Sequence, residues 1–216
     1  MTVGCMWTAL RWRNYRIYLA GQAISLVGSF MQMVGISWLV YRLTRSEIAL
    51  GFYSFLAELS SVAVVLFAGV LADRTNPKNI LLSTNILAML LACALSALVF
   101  TDRMDIVSIF AFGCFLGLVN SFDAPARHAL LPDMVEDRSD LCNAIALYSL
   151  SLEAARLVGP ALAGMVIASW GEGMCFLANG VSYIVVIISL FSLRLKPLPR
   201  IAVHENMACS LSEGIR

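Results

Sequence analysis

The chain has 216 residues, of which 60% are apolar and only 13% carry a charge, for a net charge of +1. A soluble domain carries charge on roughly a quarter of its residues, so this composition and a mean hydropathy of +0.82 exclude a water-soluble domain. A spanning helix needs about 20 mostly apolar residues, and six windows qualify: 17–41, 49–72, 80–100, 106–122, 144–168 and 174–193. The chain thus reads as an all-α membrane protein, with a lead over 1–16, a six-helix bundle over 17–194 and a polar tail over 195–216.

Cytoplasmic segments next to spans are enriched in Lys and Arg. Arg11, Arg13, Arg16, Arg74, Lys78, Arg127, Arg138, Arg194, Lys196, Arg200 and Arg216 fall on one side, and Arg42, Arg45 and Arg103 on the other. Both termini are therefore expected in the cytoplasm, in an inner (plasma) membrane. Trp38, Tyr41 and Trp170 sit at expected outer ends, with Trp12 and Tyr15 at an inner one, as interfacial aromatic belts require. The first apolar run is too long for a signal peptide.

The first span carries Gln22, Ser25, Ser29 and Gln32 on one helical face. In lipid such groups need protein or water, so the face is either a cavity wall or a line of interhelical hydrogen bonds. The second span holds Glu58 about nine residues, roughly 14 Å, inside its outer end. An ionisable group at that depth needs a partner or a cavity. It is the carboxylate without a partner on its own helix, and so the candidate to bind and release a proton. Between the second and third spans runs Gly69-Val70-Leu71-Ala72-Asp73-Arg74-Thr75-Asn76-Pro77-Lys78. Gly69 permits close helix approach, Asn76 can cap, and Pro77 suits a first helical turn.

The third span is rich in Ala and reads as packing material. The fourth is short and ends at Asn120, Asp123 and Pro125-Ala126-Arg127, before a cytoplasmic segment from His128 to Asp140. A shift of 92 residues lays Gly21, Leu26, Val27, Ser29 and Phe30 on Gly113, Leu118, Val119, Ser121 and Phe122. With the matching segment lengths, this is the pattern of an inverted three-plus-three repeat. In the fifth span, Glu153 and Arg156 stand three apart and can pair near mid-membrane. Ala155, Gly159 and Ala163 form a small-residue stripe, and Pro160 removes the hydrogen bond to the Arg156 carbonyl. Glu58, Glu153 and Arg156 are together expected to form the polar centre of the bundle and to face a cavity.

The six cysteines show no CxxC pair and read as packing residues. His128 and His204 both fall outside the spans, which argues against a membrane-embedded serine protease, whose histidine sits at depth beside its nucleophile. The chain is not expected to be an enzyme. No metal site or cofactor is expected.

The stretch from Gly69 to Lys78 resembles the signature loop of the major facilitator superfamily, matching it at Gly69, Leu71, Ala72, Asp73, Arg74 and Lys78. Asn76 and Pro77 stand where that family has Gly-Arg. Gly159, Pro160 and Gly164 are similar to the family's antiporter motif, with Ala155 and Ala163 in place of glycines. The stretches from Phe122 to Pro132 and from Leu10 to Gln22 resemble the enterobactin-exporter-like, or transmembrane secretion effector, branch.

This resemblance implies the N-terminal six helices of a twelve-helix secondary transporter, with proton-coupled efflux of a siderophore or drug-like small molecule. Its gating residues would be Gly69, Asp73, Arg74, Lys78, Asp123 and Arg127, with Asp123 the neighbour of Asp73 through Arg74 or Arg127. The antiporter motif would be Gly159, Pro160 and Gly164, and the cavity and coupling candidates are Gln22, Gln32, Glu58, Glu153 and Arg156. The expected partners are the lipid bilayer, a small-molecule substrate, protons, and either a C-terminal six-helix half or a second copy, with no nucleic acid. A truncated remnant or a partner subunit of a split transporter is the alternative. The basic residue that many proton-coupled members carry in the fourth span is missing here.

Overall fold

A computed structural model describes residues 8–135 and 137–193, and of 65–68, 70–74 and 138 the backbone but not the side chains. The tail expected over 195–216 lies outside the described residues. After a 3-10 turn at Thr8–Arg11 come six helices: α1 Arg13–Thr44, α2 Glu47–Arg74, α3 Pro77–Phe100, α4 Ile106–Met134, α5 Leu141–Trp170 and α6 Glu172–Ser192. All six contain a stretch apolar and long enough to cross a membrane.

The short connections have local causes. Asn76 accepts from the Lys78 amide at 3.0 Å while Pro77 opens α3, the cap and first-turn roles their side chains favour. Asp105 caps α4 through the Ser108 amide at 3.0 Å, and hydrogen bonds from Ser108 hold its carboxyl below the usual carboxylate range.

The packing between the helices is paired. α1 lies against α5 and α6, α4 lies against α2 and α3, and α3 lies against α6. Exchanging α1, α2, α3 with α4, α5, α6 maps this pattern onto itself, as an inverted repeat requires. The 92-residue register does not mark equivalent positions, however. Gly21 faces Ser189 of α6, whereas Gly113 faces Tyr53 of α2. The order and length of the helices carry the repeat, and the five identities do not.

Two larger apolar clusters, and a smaller one of Ala88, Ala92, Val119 and Tyr183, fill the bundle. One of the larger two holds Tyr15, Tyr18, Leu81, Leu130, Met134 and Leu190 at the end where the chain enters. The other holds Met31, Leu39, Leu95, Ile109 and Phe176 near the opposite end. Tyr15 is therefore a core residue and not part of an interfacial belt, because its hydroxyl donates to the Ala144 carbonyl at 2.7 Å inside the bundle. Trp38 and Trp170 are 50% and 68% exposed, as belt residues should be.

The fourth helix corrects the sequence reading. It is 29 residues long and runs through Pro125 and Pro132 to Met134, taking up most of the segment expected as a cytoplasmic loop. Each proline removes one backbone bond and disfavours the helix by about 3 kcal/mol. Ala126, Leu130, Leu131 and Met134 recur at helical spacing and are buried against the start of α1 and α5, which offsets that cost.

Candidate functional site

Between the two larger apolar clusters lies a polar chamber of about 180 Å³. Its centre is an ion pair within α4, Asp123 with Arg127, whose side chains are 17% and 14% exposed. Three other helices supply the remaining bonds. Thr84 Oγ1 and Asn85 Nδ2 of α3 lie 3.2 and 3.3 Å from Asp123 Oδ1. Gln22 of α1, with its amide oxygen turned toward α4, accepts from Arg127 Nη1 at 3.1 Å and Nη2 at 3.3 Å. Tyr148 of α5 accepts from Arg127 Nη1 and lies under the guanidinium, 5.1 Å from its ring centroid. One ion pair thus braces four helices, and a charge this deep is stable only when paired and hydrogen-bonded in this way.

The polar face of α1 continues away from the pair. Gln32 Oε1 accepts from Asn179 Nδ2 of α6 at 2.8 Å, and Ser182 Oγ lies 3.1 Å from Asn179 Oδ1. Gly28 makes room, since a Cβ there would stand 2.7 Å from both Asn179 Oδ1 and Ser182 Oγ. Of the two readings of this face, interhelical hydrogen bonding accounts for Gln32 and Asn179. Gln22, besides its bond to α4, lines the chamber together with Ser25 and Ser29.

The gating stretch is distributed differently from the expectation. Lys78 Nζ donates to the Leu193 carbonyl at 3.0 Å, tying the α2–α3 turn to the end of α6. No described atom lies within 4 Å of a Cβ built on Gly69, so the close approach expected there is not made within the described bundle. The side chains of Asp73 and Arg74 lie outside the described ones, and the ion-pair partner found for Asp123 is Arg127.

In the antiporter-like stretch Ala155, Gly159 and Ala163 are buried on one stripe. A Cβ on Gly159 would meet Phe30 Cβ at 2.5 Å and the Val27 carbonyl oxygen at 3.1 Å, so α5 and α1 touch there backbone to side chain. Around Gly164 the same test finds nothing within 4 Å among the described residues. Glu153 and Arg156 pair at 3.1 Å, as their spacing implies, yet their side chains are 60% and 59% exposed. Glu58 is exposed on α2 and has no hydrogen-bond or ion-pair partner among the described residues. The structure does not bring Glu58 to that pair, because α2 packs on α4 and α5 on α1.

At the entry end of the bundle, Arg11 pairs with Asp140 at 2.8 Å and Trp12 Nε1 donates to the same carboxylate at 3.0 Å. Hydrogen bonds from Trp12 and then Thr8 hold the Asp140 carboxyl below its usual range. Thr84, Asn85, Tyr148 and Asn179 were absent from the sequence reading. Polar amides inside apolar spans are themselves a signal of interhelical bonding, which could have found Asn85 and Asn179. Nothing in the sequence marks Tyr148.

Comparison with known proteins places the chain in one family. The family model of transmembrane secretion effectors matches residues 4–216. The staphyloferrin A transporter of Staphylococcus aureus is 22% identical over 84% of this chain and 46% of its own length. The macrolide efflux protein A of Streptococcus pyogenes is 24% identical over 91% of this chain and 49% of its own. The multidrug efflux pump Tap of Mycolicibacterium fortuitum is 22% identical over 88% and 48%. The chain spans about half the length of these curated relatives. With its six spanning helices in an inverted repeat and its family match across nearly its whole length, the chain belongs to the transmembrane secretion effector family of the major facilitator superfamily of transporters.

Proposed function

We propose that this chain is the N-terminal half of a secondary transporter that exports a siderophore or drug-like small molecule across an inner (plasma) membrane, driven by the proton gradient. The observation that carries the reading is the exposed charge on α2 and α5. Glu153 and Arg156 are about three-fifths exposed near the middle of a 30-residue helix, flanked by the exposed apolar side chains Leu150, Leu157 and Val158. Charge at that depth costs roughly 2.5–3.5 kcal/mol per residue in lipid even on the lenient scale. These faces must therefore meet a watery path and further protein, supplied by a second six-helix half or a second copy. Staphyloferrin A transport, macrolide efflux and multidrug efflux are the activities named for the relatives, which supports the substrate class.

Asp73 and Arg74, with Asp123 and Arg127, are proposed as the cytoplasmic gate, and Gly159, Pro160 and Gly164 as the exporter-type helix contact. Glu58 is the proposed proton-binding group, as the carboxylate without a partner. In inverted vesicles that hold the chain with its completing half, adding a macrolide or staphyloferrin A should discharge an imposed pH gradient. Glu58→Gln should abolish that discharge and leave downhill substrate exchange intact. An unchanged pH response in Glu58→Gln would end the coupling role, and a panel that never discharges the gradient would end the export reading.

The orientation is tested separately. A thiol reagent that cannot cross the membrane should label a cysteine at position 103 from outside and one at position 76 from the cytoplasm alone. The asymmetry of Lys and Arg between the two sides motivates this, and labelling at 76 from outside inverts the topology.

A further inference from the structure

We infer that the chamber around Asp123 and Arg127 is a water-binding site with a mouth at Asn120, so that this ion pair is wet although it lies inside the bundle. Nine of the twelve residues that line it are polar, and Leu26, Ala88 and Val119 are the three that are not. Asn120 is the exposed residue among them, while Gln22, Ser25, Thr84, Asn85 and Tyr183 are buried. A buried cavity holds water when it is polar and larger than about 10–15 Å³ per molecule, and about 180 Å³ leaves room for several. Arg127 Nε is buried with no hydrogen-bond partner among the described residues, and an unpaired cationic N–H requires an acceptor.

The ligand class follows from the charges. Asp123 and Arg127 neutralise each other, and no other ionisable carboxylate or base lines the chamber. An added cation would meet the guanidinium and an added anion the carboxylate. A neutral molecule that both donates and accepts, at the size the chamber allows, is water. Hydration changes what the pair can do. Separating two charges in a dry interior is costly, whereas water at the contact lowers the barrier to opening and reclosing it. The brace across four helices is then releasable without unfolding the bundle, and it is reached from the exposed side of α4. This inference stands on the lining alone and does not depend on which molecule is transported.

The test compares two equally buried serines in a chain whose native cysteines are replaced. Ser25 lines the chamber and Ser96 does not, and each is 2% exposed. A small neutral, hydroxyl-bearing methanethiosulfonate should modify Ser25→Cys about tenfold faster than Ser96→Cys, since access controls thiol reactivity. Adding Asn120→Trp should remove that advantage by filling the mouth. Equal rates for the two cysteines, or a Ser25→Cys rate untouched by Asn120→Trp, overturns the proposal. Should the cysteine-free chain fail to fold, hydroxyl-radical footprinting of the unsubstituted protein decides. Radicals made from bound water should oxidise Tyr183 in the chamber wall and spare Tyr15 in the apolar cluster, and a protected Tyr183 is the overturning result.

Discussion

Replacing Arg127 by alanine should destabilise the bundle by about 3–5 kcal/mol, the usual penalty for stranding one member of a buried ion pair. Asp123 would keep Thr84 and Asn85 at 3.2 and 3.3 Å but lose its counter-charge, while Tyr148 and Gln22 would lose their shared donor. Asp123→Asn should cost less, because an asparagine can still accept from the α3 pair and leaves a cation that Gln22 and Tyr148 hold. The double variant Asp123→Asn with Arg127→Gln should be more stable than Arg127→Ala alone, since no charge is then left buried. Thermal unfolding in detergent, analysed as a double-mutant cycle, reads the coupling directly. A penalty for Arg127→Ala below about 0.5 kcal/mol, the range of surface changes, would show that the four-helix brace does not hold the fold.

The second large effect is expected at the contact of α5 with α1. Gly159→Ala places a methyl 2.5 Å from Phe30 Cβ and 3.1 Å from the Val27 carbonyl oxygen, and backbone on one side of the clash cannot turn away. Overpacking of this kind costs typically 1–3 kcal/mol, and Gly159→Leu should exceed it. Gly164→Ala, five residues along the same helix, meets nothing within 4 Å among the described residues and should leave the stability of the bundle unchanged. The two glycines of one sequence motif are thus expected to separate. Gly159 acts inside this bundle, and any role of Gly164 must come from whatever covers the exposed face of α5. Equal melting temperatures for Gly159→Ala and the parent would show that the helices can part without loss.

What the sequence determined by itself is what local chemistry dictates. Six apolar runs of spanning length became six helices. Asn76-Pro77 became a capped helix start, and Ala155, Gly159 and Ala163, spaced four apart, became one buried stripe. Glu153 and Arg156 found each other because helical spacing alone puts them in reach. The length of α4 was hidden because proline is a breaker by local rules, while the burial of Ala126, Leu130 and Met134 against α1 and α5 is a gain no local rule contains. The repeat was legible in helix order, yet the 92-residue register was not, since which face of Gly21 or Gly113 meets a neighbour depends on helix rotation.

The same holds for the site. Asp123 and Arg127 could be singled out as charges at the end of a span, but Tyr148 and Thr84 stand 21 and 39 positions away from their partners. Their meeting follows from how the tertiary fold brings α3 and α5 to α4 and from nothing either residue does alone. Exposure was decided at the same level. Gln32 and Glu58 are both polar residues inside apolar helices, and tertiary packing turned Gln32 onto Asn179 of α6 at 2.8 Å and left Glu58 on the open side of α2, because α1 has neighbours on several sides and α2 packs chiefly on α4.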